Sequence, residues 1–261
     1  MRTVLVTGST DGIGREAAKQ LSQKGFKVLI HGRNAEKLKK LKQEIPSSEA
    51  YAADFSDMTR VEFMARSINN KHKTLDVLIN NAGVYMNEQV ETVDGFEKTM
   101  AVNYFSHALL THHLLPALKS APSARIVHVS SVAHSGARLD INDINSQGNW
   151  DSFLAYANSK LANILLSNYL ASTLPGHVTS NALHPGVINT KLLHDGWGIL
   201  GRRVRVGASS LVYLATEQKL NDVSGKYFNK KTPQKPSLVA LDTELAESLF
   251  TKTKELLAKK W

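Results

Sequence analysis

Residues 3–21 read TVLVTGSTDGIGREAAKQL, and the fold turns on how they are understood. A short β-branched run gives way at Thr7 to a loop with glycines at 8, 12 and 14, and the loop becomes a segment of helical period, REAAKQLSQKG. Glycines at these points permit a tight turn and close backbone approach. The exposed amides and dipole of the helix start favour a pyrophosphate. Such a loop means little alone; it reads as a dinucleotide fingerprint when it joins the first strand of an alternating α/β chain to its helix.

The rest of the chain supplies that context. Short β-branched runs alternate with longer helical segments, the pattern of βαβ units and a parallel sheet. Strands are expected at Thr3–Val6, Lys27–His31, Ala50–Ala53, Val77–Asn80, Arg125–Ser130, Val178–Leu183 and Lys226–Phe228. The expected architecture is a single-domain Rossmann fold over residues 1–261, with a doubly wound, mostly parallel seven-stranded sheet and helices on both faces. A final helix from Asp242, its N-cap, to about Ala258 carries a stripe of Leu245, Leu249 and Leu256.

Composition narrows the function. The absence of cysteine excludes disulfides and thiolate metal sites and favours a reducing compartment. The chain begins directly in a strand pattern without signal-peptide character, and no window approaches the ~20 apolar residues of a membrane span. A soluble, cytoplasmic protein is therefore expected. The net charge of +9 raises nucleic acid or anionic lipid as partners. However, the lysines are interspersed with acids on helix faces, as in AEKLKKLKQE, so no nucleic acid is expected. The densest basic stretch, Gly201–Val206, is left as a candidate peripheral membrane or partner contact.

The choice of dinucleotide falls to the end of the second strand, VLIHGRNAEKL. An acid there would bind the ribose 2′-OH of NAD, but the chain offers Arg33 and no acid before Glu36. A guanidinium can hold a 2′-phosphate through two hydrogen bonds, so NADP(H) is preferred over NAD(H). Asp11, inside the glycine loop, would oppose this if it pointed inward.

In FLAYANSKLA, residues 153–162, Tyr156 and Lys160 stand at i and i+4 on one helical face. A cation beside a phenol favours phenolate and lowers its pKa, which would prepare a general acid or base. The same spacing also fits a half-buried Tyr with a Lys passing it, so the motif needs its surroundings.

Taken in order, TGSTDGIG, Asp54 in AADFSD, NNAG at 80–83, Asn103 in AVNYFSH, VSS at 129–131, YANSK at 156–160 and HPGVINT at 184–190 make the chain resemble the short-chain dehydrogenase/reductase family over essentially its whole length. IVHVSSVAH and YANSKLANILLS are most similar to its retinol dehydrogenase and WW-domain oxidoreductase-like branch, which acts on retinoids, steroids or other lipophilic carbonyls.

The resemblance implies a carbonyl–alcohol oxidoreductase with Tyr156 as general acid/base. Lys160 would lower the Tyr pKa and bind the nicotinamide ribose, and Ser131 would donate to the carbonyl oxygen. Asn103 would hold a water linking Lys160 to solvent. Strand alternation and the family pattern select Ser131 over Ser130. Cofactor contacts are implied for Thr7, Gly8, Ser9, Thr10, Asp11, Gly12, Ile13 and Gly14, and for Arg33 and Asn34. Asp54 and Phe55 would meet the adenine, and Asn81, Ala82 and Gly83 the adenosine ribose. Pro185, Gly186, Val187, Ile188 and Thr190 would face the nicotinamide. Relatives of this kind form homodimers or homotetramers through the helices before and containing the Tyr.

Trp150, Phe153, Leu192, Leu193, Trp197 and Ile199, with Tyr85 and Met86 at the border, would make an apolar substrate pocket, with 191–206 as a closing lid. Three rival readings remain. A serine hydrolase would need a G-x-S-x-G elbow that is missing, and a His-based metal site would need better placed histidines. A catalytically silent dinucleotide-binding protein would have no use for the intact Ser131, Tyr156 and Lys160.

Overall fold

The computed structural model describes residues 1–145, 148 and 150–261. Seven parallel strands and one antiparallel edge strand form a sheet of order β3-β2-β1-β4-β5-β6-β7-β8. The strands are β1 (Thr3–Val6), β2 (Lys27–Gly32), β3 (Glu49–Ala52), β4 (Val77–Asn80), β5 (Ala124–Val129), β6 (Val178–His184), β7 (Tyr227–Asn229) and β8 (Thr232–Gln234). Each of the seven expected strands forms within a residue of its anticipated ends. The eighth is a correction to the expected seven. It pairs Phe228 with Pro233 and Asn229 with Thr232 across a turn in which Lys230 takes φ 59°. Proline is tolerated there because β8 lies at the sheet edge, where a missing N–H breaks no ladder.

Strand alternation sorts the core into two layers. Val4, Val6, Val28, Ile30, Val77 and Ile79 face helices α1 (Gly12–Gln23), α2 (Ala35–Glu44) and α8 (Val204–Thr216). Leu5, Leu29, Leu78 and Ile126 face α3 (Met58–Lys71), α5 (Ser106–Lys119), α6 (Ser152–Thr173) and α9 (Thr243–Leu256). A short helix α4 (Lys98–Met100) runs through a π-turn, Ala101–Phe105, into α5. The short α7 (Lys191–Trp197) follows β6. Among the described residues no helix is long and apolar enough to cross a membrane.

Asp242 caps α9 as expected by accepting from the Leu245 amide. The docked stripe is shifted from the anticipated one, with Leu249 and Leu257 buried and Leu256 exposed. Helix α9 packs along α6, and Trp261 stacks on His112 of α5 at 4.2 Å between rings. The chain's own C-terminus thus covers part of the helical face through which homo-oligomers were expected.

The order reverses between β1 and β4, so the crevice beyond the carboxyl ends of these strands is open to a ligand. All the loops named from the sequence motifs emerge at that edge.

Candidate active site

A cleft of about 1040 Å³ runs along the carboxyl edge, from the glycine loop to Tyr156 and α7. At the glycine loop, the backbone itself is the wall. Gly8 has φ +63°, and a Cβ there would stand 2.8 Å from the Ala82 Cα; at Gly14 it would meet the Asn81 Nδ2 and the Gly8 carbonyl, each at 2.4 Å. Only glycine fits this crossing of the β1 and β4 loops. The side chain of Asp11 is 71% exposed and caps α1 by accepting from the Gly12 amide, with Lys37 Nζ 3.9 Å away. The carboxylate is on the solvent-exposed side of the cleft lining, and the facing Lys37 offsets its charge.

Two of the motif residues lie behind the wall. The Thr7 hydroxyl accepts from the Asn81 and Ala82 amides at 2.8 and 2.9 Å. Ser9 exchanges hydrogen bonds with the backbone of His31. Neither lines the cleft. Thr10, Asp11, Gly12, Ile13 and Gly14 do, with Arg33, Asn34, Asp54, Phe55, Asn81, Ala82 and Gly83.

Asn34 caps α2 by accepting from the Lys37 amide, which brings Lys37 into the cleft beside Arg33. Burial pushes the Asp54 carboxyl up, but the Ser56 amide and hydroxyl and the nearby Arg33 and Lys98 outweigh it, so the group lies below its ordinary value. His31 was missed in the sequence because it reads as one polar residue in a strand. Its Nδ1 accepts from the Gly8 amide at 3.1 Å and its Nε2 donates to the Ala53 carbonyl at 3.1 Å. The ring stacks on Phe55 at 4.0 Å. Burial pushes it down to about 4, so the neutral ring that these two bonds require is the one present.

Tyr156 and Lys160 come together as their spacing on α6 implied, with 5% and 3% exposure. The Lys160 Nζ lies 5.4 Å from the centre of the Tyr156 ring and donates to the Val129 carbonyl at 3.1 Å. Burial pushes Lys160 down to about 8. Burial also dominates Tyr156, and with help from Tyr85 it overrides a hydrogen bond to Ser131 and pushes the phenol up to about 12. The expected acidification of the phenol by Lys160 is thus not the outcome in the chain alone: the ammonium points at a backbone carbonyl, and desolvation outweighs the hydrogen bond that favours phenolate.

The two serines divide as strand alternation implied. Ser130 Oγ donates to the Lys160 carbonyl at 2.7 Å and fixes α6 to β5, whereas the Ser131 hydroxyl meets Tyr156. Ser131 is itself held by His134, whose Nδ1 donates to the Ser131 carbonyl at 2.6 Å while its Nε2 accepts from the Ser237 amide at 3.1 Å. His134 was visible only as part of a motif.

Asn103 is fully buried and does not reach the cleft. Its side chain accepts from the Val84 amide at 2.8 Å and donates to the Val84 carbonyl and Ser159 Oγ, each at 3.0 Å. The π-turn leaves its carbonyl to accept from His107 Nδ1 and Asn163 Nδ2. His107 Nε2 in turn meets the Thr7 hydroxyl at 3.0 Å. A buried chain of polar contacts therefore ties α6, the π-turn and the glycine loop.

Pro185, Gly186, Val187, Ile188 and Thr190 line the cleft opposite the loop. The Thr190 hydroxyl is engaged as the cap of α7, accepting from the Leu193 amide. Tyr85, Met86, Phe153, Leu192, Leu193, Trp197 and Ile199 make the far end apolar. Tyr85 and Trp197 lie 5.5 and 5.4 Å from the Tyr156 ring. Trp150, expected in this wall, instead donates from Nε1 to the buried Glu97 at 3.3 Å. Trp150 belongs to the stretch HSGARLDINDINSQGNWDSF between Ser131 and Tyr156, which is long enough to supply a substrate wall; positions 146, 147 and 149 of it lie outside the described residues. No group of three or more metal-ligating side chains occurs among the described residues.

The model of the short chain dehydrogenase family matches residues 2–197. Retinol dehydrogenase 12 of Homo sapiens is 36% identical over 100% of this chain and 87% of its own length. Polyprenol dehydrogenase of Homo sapiens is 37% identical over 98% and 84%. A structure from Mycobacterium paratuberculosis is similar with a TM-score of 0.85 at 29% identity, covering 99% of this chain and 94% of that one. The RhlG/NADP active-site complex of Pseudomonas aeruginosa has a TM-score of 0.71 at 27% identity, covering 87% and 94%. With a Tyr, a Lys and a Ser gathered at the end of a dinucleotide-sized cleft, these likenesses lead to one conclusion: the chain belongs to the short-chain dehydrogenase family, in its retinol dehydrogenase-like branch, and is an NAD(P)-dependent oxidoreductase acting on CH–OH and C=O groups.

Proposed function

We propose that the enzyme interconverts an apolar aldehyde or ketone and its alcohol, with NADP(H) preferred over NAD(H). The observation that carries this reading is the single cleft that joins the Tyr156–Ser131 pair to the glycine loop and passes Arg33 and Lys37. The loop's fit to a dinucleotide rests on Gly8, Gly12 and Gly14 lining the cleft at the start of α1, where exposed amides and the helix dipole favour a phosphate. Arg33, with Lys37 and Asn34 at the start of α2, would hold the 2′-phosphate. Asp54 and Phe55 would meet the adenine, and Asn81 to Gly83 the ribose. Pro185, Gly186, Val187, Ile188 and Thr190 would present backbone to the nicotinamide. When bound, the cofactor supplies or accepts the hydride.

Tyr156 then handles the proton. At neutral pH its raised pKa keeps it protonated, so it can give that proton to a substrate oxygen and recover it in oxidation. Ser131 donates to the same oxygen, and the Lys160 ammonium favours the phenolate left behind. Asn103 is a positioning residue, holding Val84 and Ser159 rather than touching substrate. The aromatic and aliphatic wall around Tyr85 and Trp197 suits an apolar substrate, in keeping with the retinol and polyprenol dehydrogenases it resembles.

Fluorescence titration with both reduced cofactors and a carbonyl panel of graded polarity tests the reading. NADPH should bind tighter than NADH, and apolar carbonyls should turn over best. Tyr156→Phe should lose roughly 10²–10⁴-fold in kcat while keeping its NADPH affinity. Tighter NADH binding would overturn the Arg33 argument, and undiminished turnover by the variant would overturn the role of Tyr156.

A further inference from the structure

Most large apolar side chains on this molecule are buried, and the exposed ones are unevenly placed. Val132, Phe153, Val187, Trp197 and Ile199 are exposed on the rim of the cleft, and Leu200, next in the chain, is 82% exposed. The loop that carries the last two is not loose. The Asn189 amide donates to the Arg202 carbonyl and the Arg202 amide to the Val187 carbonyl, each at 2.9 Å, which pins the loop to the turn after β6. It therefore holds Ile199 and Leu200 outward at the cost of leaving them wet. Arg202, Arg203 and Arg205 follow at once, all exposed, and none forms an ion pair among the described residues. Helix α7 carries one carboxylate, Asp195, and one lysine, Lys191, so it adds no net negative charge to this surface. Apolar side chains standing beside unpaired guanidinium groups are the chemistry of a surface that meets headgroups and acyl chains together.

We propose that this rim docks on an anionic lipid bilayer, with Ile199 and Leu200 entering the acyl boundary and Arg202, Arg203 and Arg205 at the headgroups. An apolar carbonyl then enters the cleft directly from the bilayer, a step that rests on the proposed reading of the cleft as the carbonyl site. A second copy of the chain is a poorer occupant, because it would bring the same three arginines face to face. Lys160, Tyr156 and the glycine loop lie deeper in the cleft and are not part of the contact.

Flotation with vesicles of phosphatidylcholine, alone or mixed with phosphatidylserine, tests the docking. The parent should float with the mixed vesicles, release as salt rises and ignore the neutral ones. Arg203→Gln with Arg205→Gln should weaken partitioning on the order of thirty-fold, about five-fold for each arginine. Leu200→Ser should also weaken it. Leu200, Arg203 and Arg205 lie outside the cleft lining, so both variants should turn over a small water-soluble aldehyde at the parent rate, yet lose turnover of an apolar carbonyl presented in mixed vesicles. Absence of parent flotation, equal flotation with neutral vesicles, or a vesicle-free self-association abolished by Leu200→Ser would each overturn the docking. Failure of the parent to reduce any carbonyl, with flotation intact, would overturn the reading of the cleft and leave the docking standing.

Discussion

Lys160 shows how one side chain can be costly to the fold and necessary to the site. The sequence spacing placed it beside Tyr156, but only the packing reveals that burial pushes its pKa from 10.5 to about 8. A base whose folded pKa lies below its unfolded value weakens the fold at every pH below the folded value; the penalty fades as pH rises from about 8 to 10.5. The shift corresponds to about 3 kcal/mol at neutral pH, against which the bond to the Val129 carbonyl returns about 1. Lys160→Met should therefore be about 2 kcal/mol more stable than the parent in urea at pH 7 and lose that advantage by pH 10.5, while its turnover falls sharply. A variant that is less stable at pH 7 would mean that the ammonium is better solvated than its burial indicates. Nothing in Y-x-x-x-K discloses this cost, since it comes from the layers above α6 and not from the helix itself.

At the level of elements, what was legible followed from period. The strands were found to within a residue from their short β-branched runs, with helices in the intervals between them, and the glycine loop was recognisable because its spacing is imposed by backbone collisions. What escaped were features set by tertiary partners. Strand β8 is three residues with a proline, and only its pairing to β7 makes it a strand. The π-turn in AVNYFSH has the composition of ordinary helix; it forms where Asn163 and His107 claim the Asn103 carbonyl. Trp150 sits in an irregular insertion, where no period tells inward from outward. The π-turn has a measurable weight. Asn103→Leu would remove two hydrogen bonds to Val84, leaving its amide and carbonyl without those partners, for about 2–4 kcal/mol. The urea midpoint should fall with no change in slope, and NADPH affinity should weaken because Val84 continues the segment that lines the ribose end of the cleft. An unchanged midpoint would show that water replaces the amide without loss.

Across the whole molecule, the buried histidines act together. His31, His107, His128 and His184 are spread over β2, α5, β5 and β6, and burial pushes all four down from 6.5, to about 4, 3, 3 and 4. The unfolded chain takes up these protons as pH falls below 6.5, while the folded chain resists until about pH 4. Stability is thus fully present above 6.5 and drains away between 6.5 and about 3. With nearly four protons of difference near pH 5, the slope reaches about 5 kcal/mol per pH unit, enough to exhaust an ordinary folding free energy within that window. Glu49, lowered to about 2 first through its bond to Lys27, yields its share only at more acid pH, so the histidines set the onset. They are also part of the binding edge: charging His31 forfeits the acceptor of the Gly8 amide, and charging His107 forfeits the acceptor of the Thr7 hydroxyl. In the folded chain these rings stay neutral down to about pH 4, so NADPH affinity should hold while the urea midpoint falls and weaken only below about pH 4. Among the described residues His128 has one ring nitrogen without a hydrogen-bond partner and its other 3.4 Å from Asn80, so it can be replaced at little cost in hydrogen bonds. His128→Leu should reduce the slope of stability against pH by about a quarter near pH 5. If that slope is unchanged, the acid sensitivity comes from the carboxylates, and the neutral histidines are not what holds the edge in place.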